Sequence, residues 1–138
     1  MAGEIVVGID GSEPAASALR WAVAEAKLRH CRLRVIHGYQ TPLVTMDMTG
    51  EALSAMEEAS RQILADVVGG LRAEAPELEV ETSSCPAGGA EALVEASQGA
   101  ELVVVGNRGR GGFAGVLLGS VSTQVVHHAA CPVVVVRS

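Results

Sequence analysis

Aromatic residues are almost absent from this chain, which has one Trp, one Tyr and one Phe among 138 residues. Proteins that bind single-stranded nucleic acid stack bases on aromatic rings, and few such rings are present here. Positive charge is also scarce, because ten Lys and Arg residues face sixteen Asp and Glu residues and the net charge is −6. We therefore predict no nucleic-acid partner, and a core built from Val, Leu, Ile and Ala.

Long apolar runs and a basic N-terminal segment are missing as well. No run approaches the 18 or more apolar residues that a membrane-spanning helix requires. The N-terminus carries Glu4 where a secretory signal would be basic, and its apolar run is short. These features predict a cytoplasmic protein with no membrane partner.

Metal-binding patterns are weak in this sequence. The three cysteines, Cys31, Cys85 and Cys131, are far apart and form no CxxC pair, which favours reduced thiols that act as small apolar residues. The adjacent His127 and His128 would point about 100° apart on a helix, so they do not suit one shared ion. We predict no metal site formed by the protein, and two histidine cations near a helix C-terminus.

Short Val- and Ile-rich runs alternate with amphipathic segments along the whole sequence. The apolar runs predict strands at residues 4–10, 33–39, 78–84, 100–106 and 131–137. The segments between them predict helices at residues 12–30, 51–74, 90–98 and 119–130, the first with Ser12 as its N-cap. With no repeat or linker, residues 1–138 are predicted to form one α/β domain. Its expected fold is a doubly wound parallel sheet covered by helices on both faces.

Apolar side chains recur at helical spacing in the first two predicted helices, which indicates the faces that pack on the sheet. The first stripe consists of Leu19, Ala22, Val23 and Ala26. The second consists of Leu53, Met56, Ile63, Leu64, Val67 and Leu71. The pair Gly69–Gly70 is expected to weaken the last turns of the second helix.

Six of the sixteen glycines fall between Gly106 and Gly119, after the fourth predicted strand. Ligands bind beyond the carboxyl ends of strands in such folds, so the cluster favours a ligand-binding loop over a flexible linker. A Walker A loop is excluded because the only lysine is Lys27. The G-x-G-x-x-A match at residues 109–114 lacks the acidic residue that a dinucleotide-binding turn needs, since no Asp or Glu follows Glu101.

The spacing that fits is G-x2-G-x9-G-S, formed by Gly106, Gly109, Gly119 and Ser120 between a buried strand and a helix. With "VVGIDGS" near the start and "CPVVVVR" at the end, it resembles the ATP-binding class of the universal stress protein family along the whole chain. The resemblance implies a Rossmann-like sheet of five strands in the order 3-2-1-4-5. The stretch "CPAGGAEAL" departs from the family's usual glycine before the third helix.

The residue types in this loop suit a phosphate site. Gly106 and Gly109 allow positive φ and let backbone N–H groups approach an anion. Gly119 and Ser120 are expected to present free N–H groups and a hydroxyl at a helix N-terminus, where the helix dipole favours phosphate. The loop is therefore predicted to hold the phosphates of a nucleotide.

The resemblance implies further contacts outside the glycine spacing. Asp10 matches an acidic position near the sugar or its metal, with an N-terminal helix cap, aided by Ser12, as the alternative. The backbone at Gly38 matches the region that meets adenine, so His37 is predicted to be structural. Arg108 and Arg110 add positive charge, or else are solvated. The implied binding residues are Asp10, Gly38, Gly106, Gly109, Arg110, Gly119, Ser120, Val121 and Ser122.

The implied ligand is ATP, with Mg²⁺ held mainly by its phosphates, and AMP or a cyclic nucleotide is the alternative. We expect a sensor or regulator of the stress response and not an enzyme, because no GxSxG elbow occurs and Asp10 is the only nearby candidate base. A slow ATPase or phosphate-ester hydrolase is the competing hypothesis. A family member that acts through dimerisation without nucleotide would have lost the glycine spacing, which is intact here.

The last predicted strand indicates a homodimer. The resemblance puts residues 133–137 at the edge of the sheet, and "VVVV" is apolar on both faces. An exposed Val-rich edge invites aggregation, whereas pairing with a second copy satisfies its backbone groups. A central position of this strand is the alternative.

Overall fold

The computed structural model describes residues 3–39, 50–86, 88–108 and 118–137. The strands are β1 (Glu4–Ile9), β2 (Arg32–Gly38), β3 (Val80–Cys85), β4 (Leu102–Gly106) and β5 (Val133–Val136). The helices are α1 (Glu13–Arg29), α2 (Gly50–Glu74), α3 (Gly89–Ser97) and α4 (Ser120–His128). All nine predicted elements are confirmed, and their ends differ from the predicted ends by no more than two residues.

The five strands form one parallel sheet in the order β3-β2-β1-β4-β5. This order confirms the predicted topology and places β5 at an edge, which rules out a central position for that strand. The sheet is parallel because a helix follows each of the first four strands and returns the chain to the starting edge. All four helices consequently begin at the edge formed by the carboxyl ends of the strands.

Two apolar cores lie on opposite faces of the sheet, since successive strand residues point to opposite faces. One core packs beneath α1 and α2 and includes Ile5, Val7, Leu33, Val35, Leu64 and Val104. The other packs beneath α3 and α4 and includes Val6, Ile36, Leu93, Val103, Val105 and Val125. The sheet is therefore covered on both faces, as the uninterrupted apolar strands predicted.

The face of α1 that packs on the sheet differs in part from the predicted stripe. Its fully buried side chains are all alanines: Ala15, Ala18, Ala22 and Ala26. Leu19 and Val23 pack beside them but are only partly buried. Small side chains allow the helix to approach the strands closely, and the larger residues then fill the flanks.

The predicted apolar stripe of α2 is only partly buried. Leu64 and Leu71 are buried, whereas Leu53 and Ile63 are 38% and 39% exposed. A helix of 25 residues is about 37 Å long, but a strand of seven residues spans only about 23 Å. The sheet is therefore too short to cover Leu53 near the start of the helix, whereas Ile63 lies off the packed face, between the buried Ser60 and Leu64. No helix in the described ranges, α2 included, has the length and apolar character needed to cross a membrane.

Candidate nucleotide-binding site

The carboxyl ends of β1 and β4 form the place where the winding of the sheet reverses. β2 and β3 lie on one side of this place, and β5 lies on the other. Pairing between β1 and β4 ends at Val7 and Val104, although the strands continue to Ile9 and Gly106. The strands thus leave a crevice, called the switch crevice below, at which α1 and α4 both begin. Open α/β sheets bind ligands at such crevices.

The N-terminus of α4 presents backbone donors at the switch crevice. The first helical hydrogen bond runs from the Thr123 amide to the Gly119 carbonyl, at 2.9 Å. The amides of Ser120, Val121 and Ser122 precede it, and no side chain of the described residues caps them. Gly119, the N-cap residue, has φ −77° and ψ 177°, which is ordinary extended backbone. This helix end therefore has donors available for an acceptor that comes from outside the helix.

The electrostatic field at this helix end is not offset by acidic side chains. The first turns of α1, α2 and α3 contain Glu13, Glu51 and Glu91 respectively, whereas the first turn of α4 contains no acidic residue. A carboxylate in the first turn neutralises the positive end of a helix dipole. Among the four helices of the structure, α4 alone keeps its N-terminal positive potential without such a carboxylate, which favours an anion.

Asn107 ties this helix end to the sheet, and sequence reasoning missed it. Its carbonyl accepts hydrogen bonds from the Gly119 amide at 2.7 Å and the Ser122 hydroxyl at 3.2 Å. Its own amide donates to the Val136 carbonyl at 2.9 Å. The side chain is buried, and its Oδ1 has no hydrogen-bond partner among the described residues. The only available signal was a polar residue placed directly after an apolar strand.

These contacts correct one detail of the predicted phosphate site and specify another. The Gly119 amide is not free, because it is bonded to the Asn107 carbonyl. The Ser122 side chain is buried and its hydroxyl donates to backbone carbonyls, so its amide is the group left for a ligand. The hydroxyl expected at the helix end is that of the exposed Ser120.

Gly106 and Gly38 lack side chains for reasons of packing. The prediction of positive φ at Gly106 is wrong, since the described glycines with positive φ are Gly11, Gly88 and Gly99. A Cβ at Gly106 would instead lie 2.6 Å from the backbone of Pro14 in the first turn of α1. A Cβ at Gly38 would collide with the backbone of Gly88 and Gly89. Both glycines let a helix start close to the end of a strand.

Asp10 supports the N-terminus of α1. Its Oδ1 accepts hydrogen bonds from the amide and the hydroxyl of Ser12. The Ser12 hydroxyl in turn accepts from the Ala15 amide at 3.3 Å, which confirms Ser12 as the N-cap. Asp10 thus holds the capping residue in place and is not itself the cap, and its contact to the nucleotide stays a prediction. The half-buried carboxylate still lies at the end of β1, beside the switch crevice.

The predicted structural role of His37 is confirmed. The ring is buried, and its Nδ1 lies 2.7 Å from the hydroxyl of Ser60 in α2. Ser84 of β3 donates to the same hydroxyl at 2.6 Å. This buried network fastens α2 to β2 and β3. Sequence reasoning did not find Ser60, because a serine inside an apolar stripe carries no signal of its polar partners.

The remaining predicted contacts fall partly outside the described residues. Gly109 and Arg110 lie outside them, as does the rest of the loop at residues 109–117. Arg108 is half-buried at the carboxyl end of β4, next to Asn107. The described part of the switch crevice consists of the ends of β1 and β4 and the start of α4.

The cysteines and histidines form no metal centre in the part of the chain that the structure describes. Cys31, Cys85 and Cys131 are free thiols, and burial is the main cause that raises the pKa of each. Thiols with raised pKa stay protonated and are poor nucleophiles. His127 and His128 lie in the last turn of α4, at the favourable end of its dipole, as predicted.

Comparison with known proteins agrees with this fold. The sequence profile of the Universal stress protein family matches residues 1–137. A universal stress protein of Mycolicibacterium smegmatis is 38% identical over an alignment of 143 residues including gaps. The alignment covers 96% of this chain and 47% of the relative. The chain thus spans about half the length of such relatives.

Solved structures of this family superpose on the chain. UspA from Lactobacillus plantarum does so with a TM-score of 0.82 at 24% identity, covering 98% of this chain and 97% of that protein. A universal stress protein in complex with cAMP has a TM-score of 0.63 at 28% identity, with 97% and 95% covered. More distant structures from Archaeoglobus fulgidus and Arabidopsis thaliana hold dAMP and AMP, at 23% and 15% identity. This chain belongs to the universal stress protein family.

Proposed function

We propose that this chain binds ATP at the switch crevice and acts in the cytoplasm as a sensor or regulator of the stress response. The observation that carries the proposal is the N-terminus of α4, where three backbone amides are uncapped and no carboxylate lies in the first turn. A phosphate group matches both properties, since it accepts several hydrogen bonds and carries negative charge. A related protein that holds cAMP adds support for an adenine nucleotide.

Each side of the crevice has a proposed part in this complex. The amides of Ser120, Val121 and Ser122, with the Ser120 hydroxyl, bind the phosphates, and Gly109 and Arg110 complete the phosphate contacts. Asp10 lies toward the sugar, and the backbone at Gly38 toward adenine. The Asp10 carboxylate lies beside the crevice at the end of β1, and its Oδ1 already accepts from Ser12. Mg²⁺ would therefore be held mainly by the nucleotide's phosphates.

Calorimetric titration with ATP tests the site through Gly119→Val. The backbone at Gly119 is extended, so valine causes no φ strain there, but its side chain stands where the phosphate approaches. Two lost charge-assisted hydrogen bonds correspond to roughly 3 kcal/mol, or about a hundredfold in affinity. Gly50→Val at the start of α2 is the matched control, because a Cβ there meets nothing within 4 Å. Equal ATP affinity in both variants would refute the site.

We propose that the bound nucleotide is not turned over. No acidic residue lies in the first turn of α4 to orient a water molecule, and the Asp10 Oδ1 is engaged by Ser12. Steady-state phosphate release should therefore stay at the background rate with ATP and Mg²⁺. Multiple turnover at about 1 s⁻¹ that disappears in Asp10→Ala would instead support the ATPase hypothesis.

We further propose a homodimer formed through residues 133–137. β5 pairs only with β4, so its other edge is open in the described chain. The Val103 and Asn107 amides donate to Pro132 and Val136, which places residues 132, 134 and 136 toward β4. The N–H and C=O groups of residues 133 and 135 then face outward. A second copy across a two-fold axis would satisfy them.

A further inference from the structure

The opposite edge of the sheet carries a groove that the proposed nucleotide site does not use. It has a volume of about 680 Å³ and lies between α2 and β3. One stripe of α2, from Glu57 to Arg72, forms one wall, and Thr82 and Ser84 form the other. The stripe spans 16 residues, whose ends lie about 22 Å apart along the helix, so the groove is elongated. We call it the α2 groove.

The wall formed by β3 has unpaired backbone groups. β3 pairs only with β2 in the described chain. The Leu33 and Tyr39 amides donate to the carbonyls of Glu79 and Cys85, so the odd-numbered residues of β3 direct their backbone groups toward β2. The N–H and C=O groups of Thr82 and of its even-numbered neighbours therefore face outward. An extended chain in the groove can pair with them.

Gly69 makes the helical wall of the groove low without any internal packing reason. A Cβ at this position would meet nothing within 4 Å in the described part of the chain, so the described fold does not require glycine there. Glycine inside a helix is nevertheless less stable than alanine. The missing side chain leaves room for a bound backbone to approach the helix closely. Gly70 is equally exposed and open but does not line the groove, which makes it a matched control.

The charges that line the groove favour a negatively charged occupant. They are two arginines, Arg61 and Arg72, and one glutamate, Glu57, in a chain whose net charge is −6. Arg61 is paired with Glu57 and Glu58, whereas Arg72 has no ion pair within the described ranges. Arg61 and Arg72 are eleven residues apart, so they share one face of α2 at a separation of about 17 Å. This separation suits an extended chain and not one small anion.

We propose that the α2 groove binds an extended acidic peptide segment of a partner protein, which adds to the outer edge of β3 as a sixth strand. Main-chain hydrogen bonds to β3 provide affinity, as in other cases of strand addition. Alternate apolar side chains lie over Leu64 and Val68, and carboxylates at the two ends reach Arg61 and Arg72. This inference does not depend on the proposed nucleotide site.

The probe is the synthetic peptide DTVTVTD with blocked ends, in which Asp and Val share one face and the terminal residues are about 20 Å apart when extended. Its binding is measured by fluorescence anisotropy, and its position by amide chemical shifts of the ¹⁵N-labelled protein. We expect shifts centred on Val80, Thr82 and Ser84. The charge-reversed peptide KTVTVTK should bind at least about tenfold more weakly, because the contacts to arginine are lost.

Matched variants decide between this groove and non-specific binding. Gly69→Leu should weaken DTVTVTD binding at least about tenfold, whereas Gly70→Leu should leave it unchanged. Arg72→Gln should weaken it, and Arg20→Gln on α1 should not. Absence of binding at millimolar peptide, equal binding of both peptides, or equal effects of the two glycine variants would overturn the proposal. So would sedimentation in which Gly69→Leu dissociates a dimer, since the occupant would then be a second copy.

Discussion

A carboxylate placed at the N-terminus of α4 should separate ligand binding from folding, and Ser120→Glu places it there. Ser120 is exposed and is the first residue of the helix, so glutamate fits without repacking. The first turn of α4 contains no acidic residue, unlike the first turns of the other three helices. The substitution therefore supplies the charge that a bound phosphate would otherwise supply.

The two expected effects have opposite signs. A carboxylate in the first turn stabilises a helix by about 0.3–1 kcal/mol through its dipole, so the free energy of unfolding should rise slightly. The same carboxylate would lie about 5 Å from a phosphate charge, and at an effective dielectric constant of about 20 the repulsion is roughly 3 kcal/mol. That energy corresponds to a loss of ATP affinity of at least about a hundredfold.

Urea denaturation and ATP calorimetry on the same preparations provide the two measurements. Ser54→Glu is the control, because this exposed residue of α2 adds the same charge away from α4. It should change ATP affinity less than about twofold once salt screens the net charge. If Ser120→Glu binds ATP as the parent does while its stability rises, the phosphates do not lie at α4 and the proposed site is wrong.

Four further predictions concern packing, buried hydrogen bonds, pH and assembly. Gly38→Ala should lower the free energy of unfolding by about 1–3 kcal/mol, because the new Cβ meets the backbone at the start of α3. Gly69→Ala should raise it by about 0.5–1 kcal/mol, because alanine is more stable than glycine inside a helix. Urea titration measures both changes. Ser60→Ala removes the partner of His37 Nδ1 and Ser84, so the same titration should show a loss of about 1–3 kcal/mol. Hydrogen bonds from the Cys31 thiol and then from Arg29 lower the pKa of Glu101 in the folded protein. The ionised Glu101 therefore stabilises the fold above its unfolded-state pKa, and this stabilisation is lost as pH falls. Glu101→Gln should reduce the loss of unfolding free energy at acid pH, which urea titrations at several pH values measure. Val135→Pro removes an outward-facing N–H of β5, so this variant should sediment as a monomer. Val134→Pro removes an N–H that faces β4 and should instead unfold this edge of the sheet. A parent protein that sediments as a monomer at high micromolar concentration would contradict the dimer.

The fold was predictable because each element carries its own local signal. The strands are continuous Val and Ile runs, and Gly, Pro or capping residues such as Ser12 interrupt the chain between them. A buried parallel strand needs apolar side chains on both faces, so "LVVVG" in β4 has no competing interpretation. The order of the strands, by contrast, came from the family resemblance and not from periodicity.

The contacts that could not be predicted join residues far apart in the sequence. Ser60 is 23 residues from His37 and 24 from Ser84, and nothing local shows that their hydroxyls and ring meet. The bond from Gly119 to the Asn107 carbonyl likewise depends on how α4 returns to β4. The buried face of α1 differs from the predicted stripe because small side chains allow the helix to approach the sheet closely. Side-chain size, and not hydrophobicity alone, therefore decides which residues of α1 are buried.

Glycines at the carboxyl edge of the sheet can serve close packing or ligand binding, and the spacing of the motif does not distinguish these two roles. A side chain at Gly106 would collide with the backbone of Pro14, so folding would require glycine there even if no nucleotide bound. Gly119 has ordinary extended backbone, so its φ and ψ alone do not require glycine. A substitution at Gly106 would therefore affect stability and binding together. Only the start of α4, at Gly119 and Ser120, allows the ligand to be tested independently of the fold.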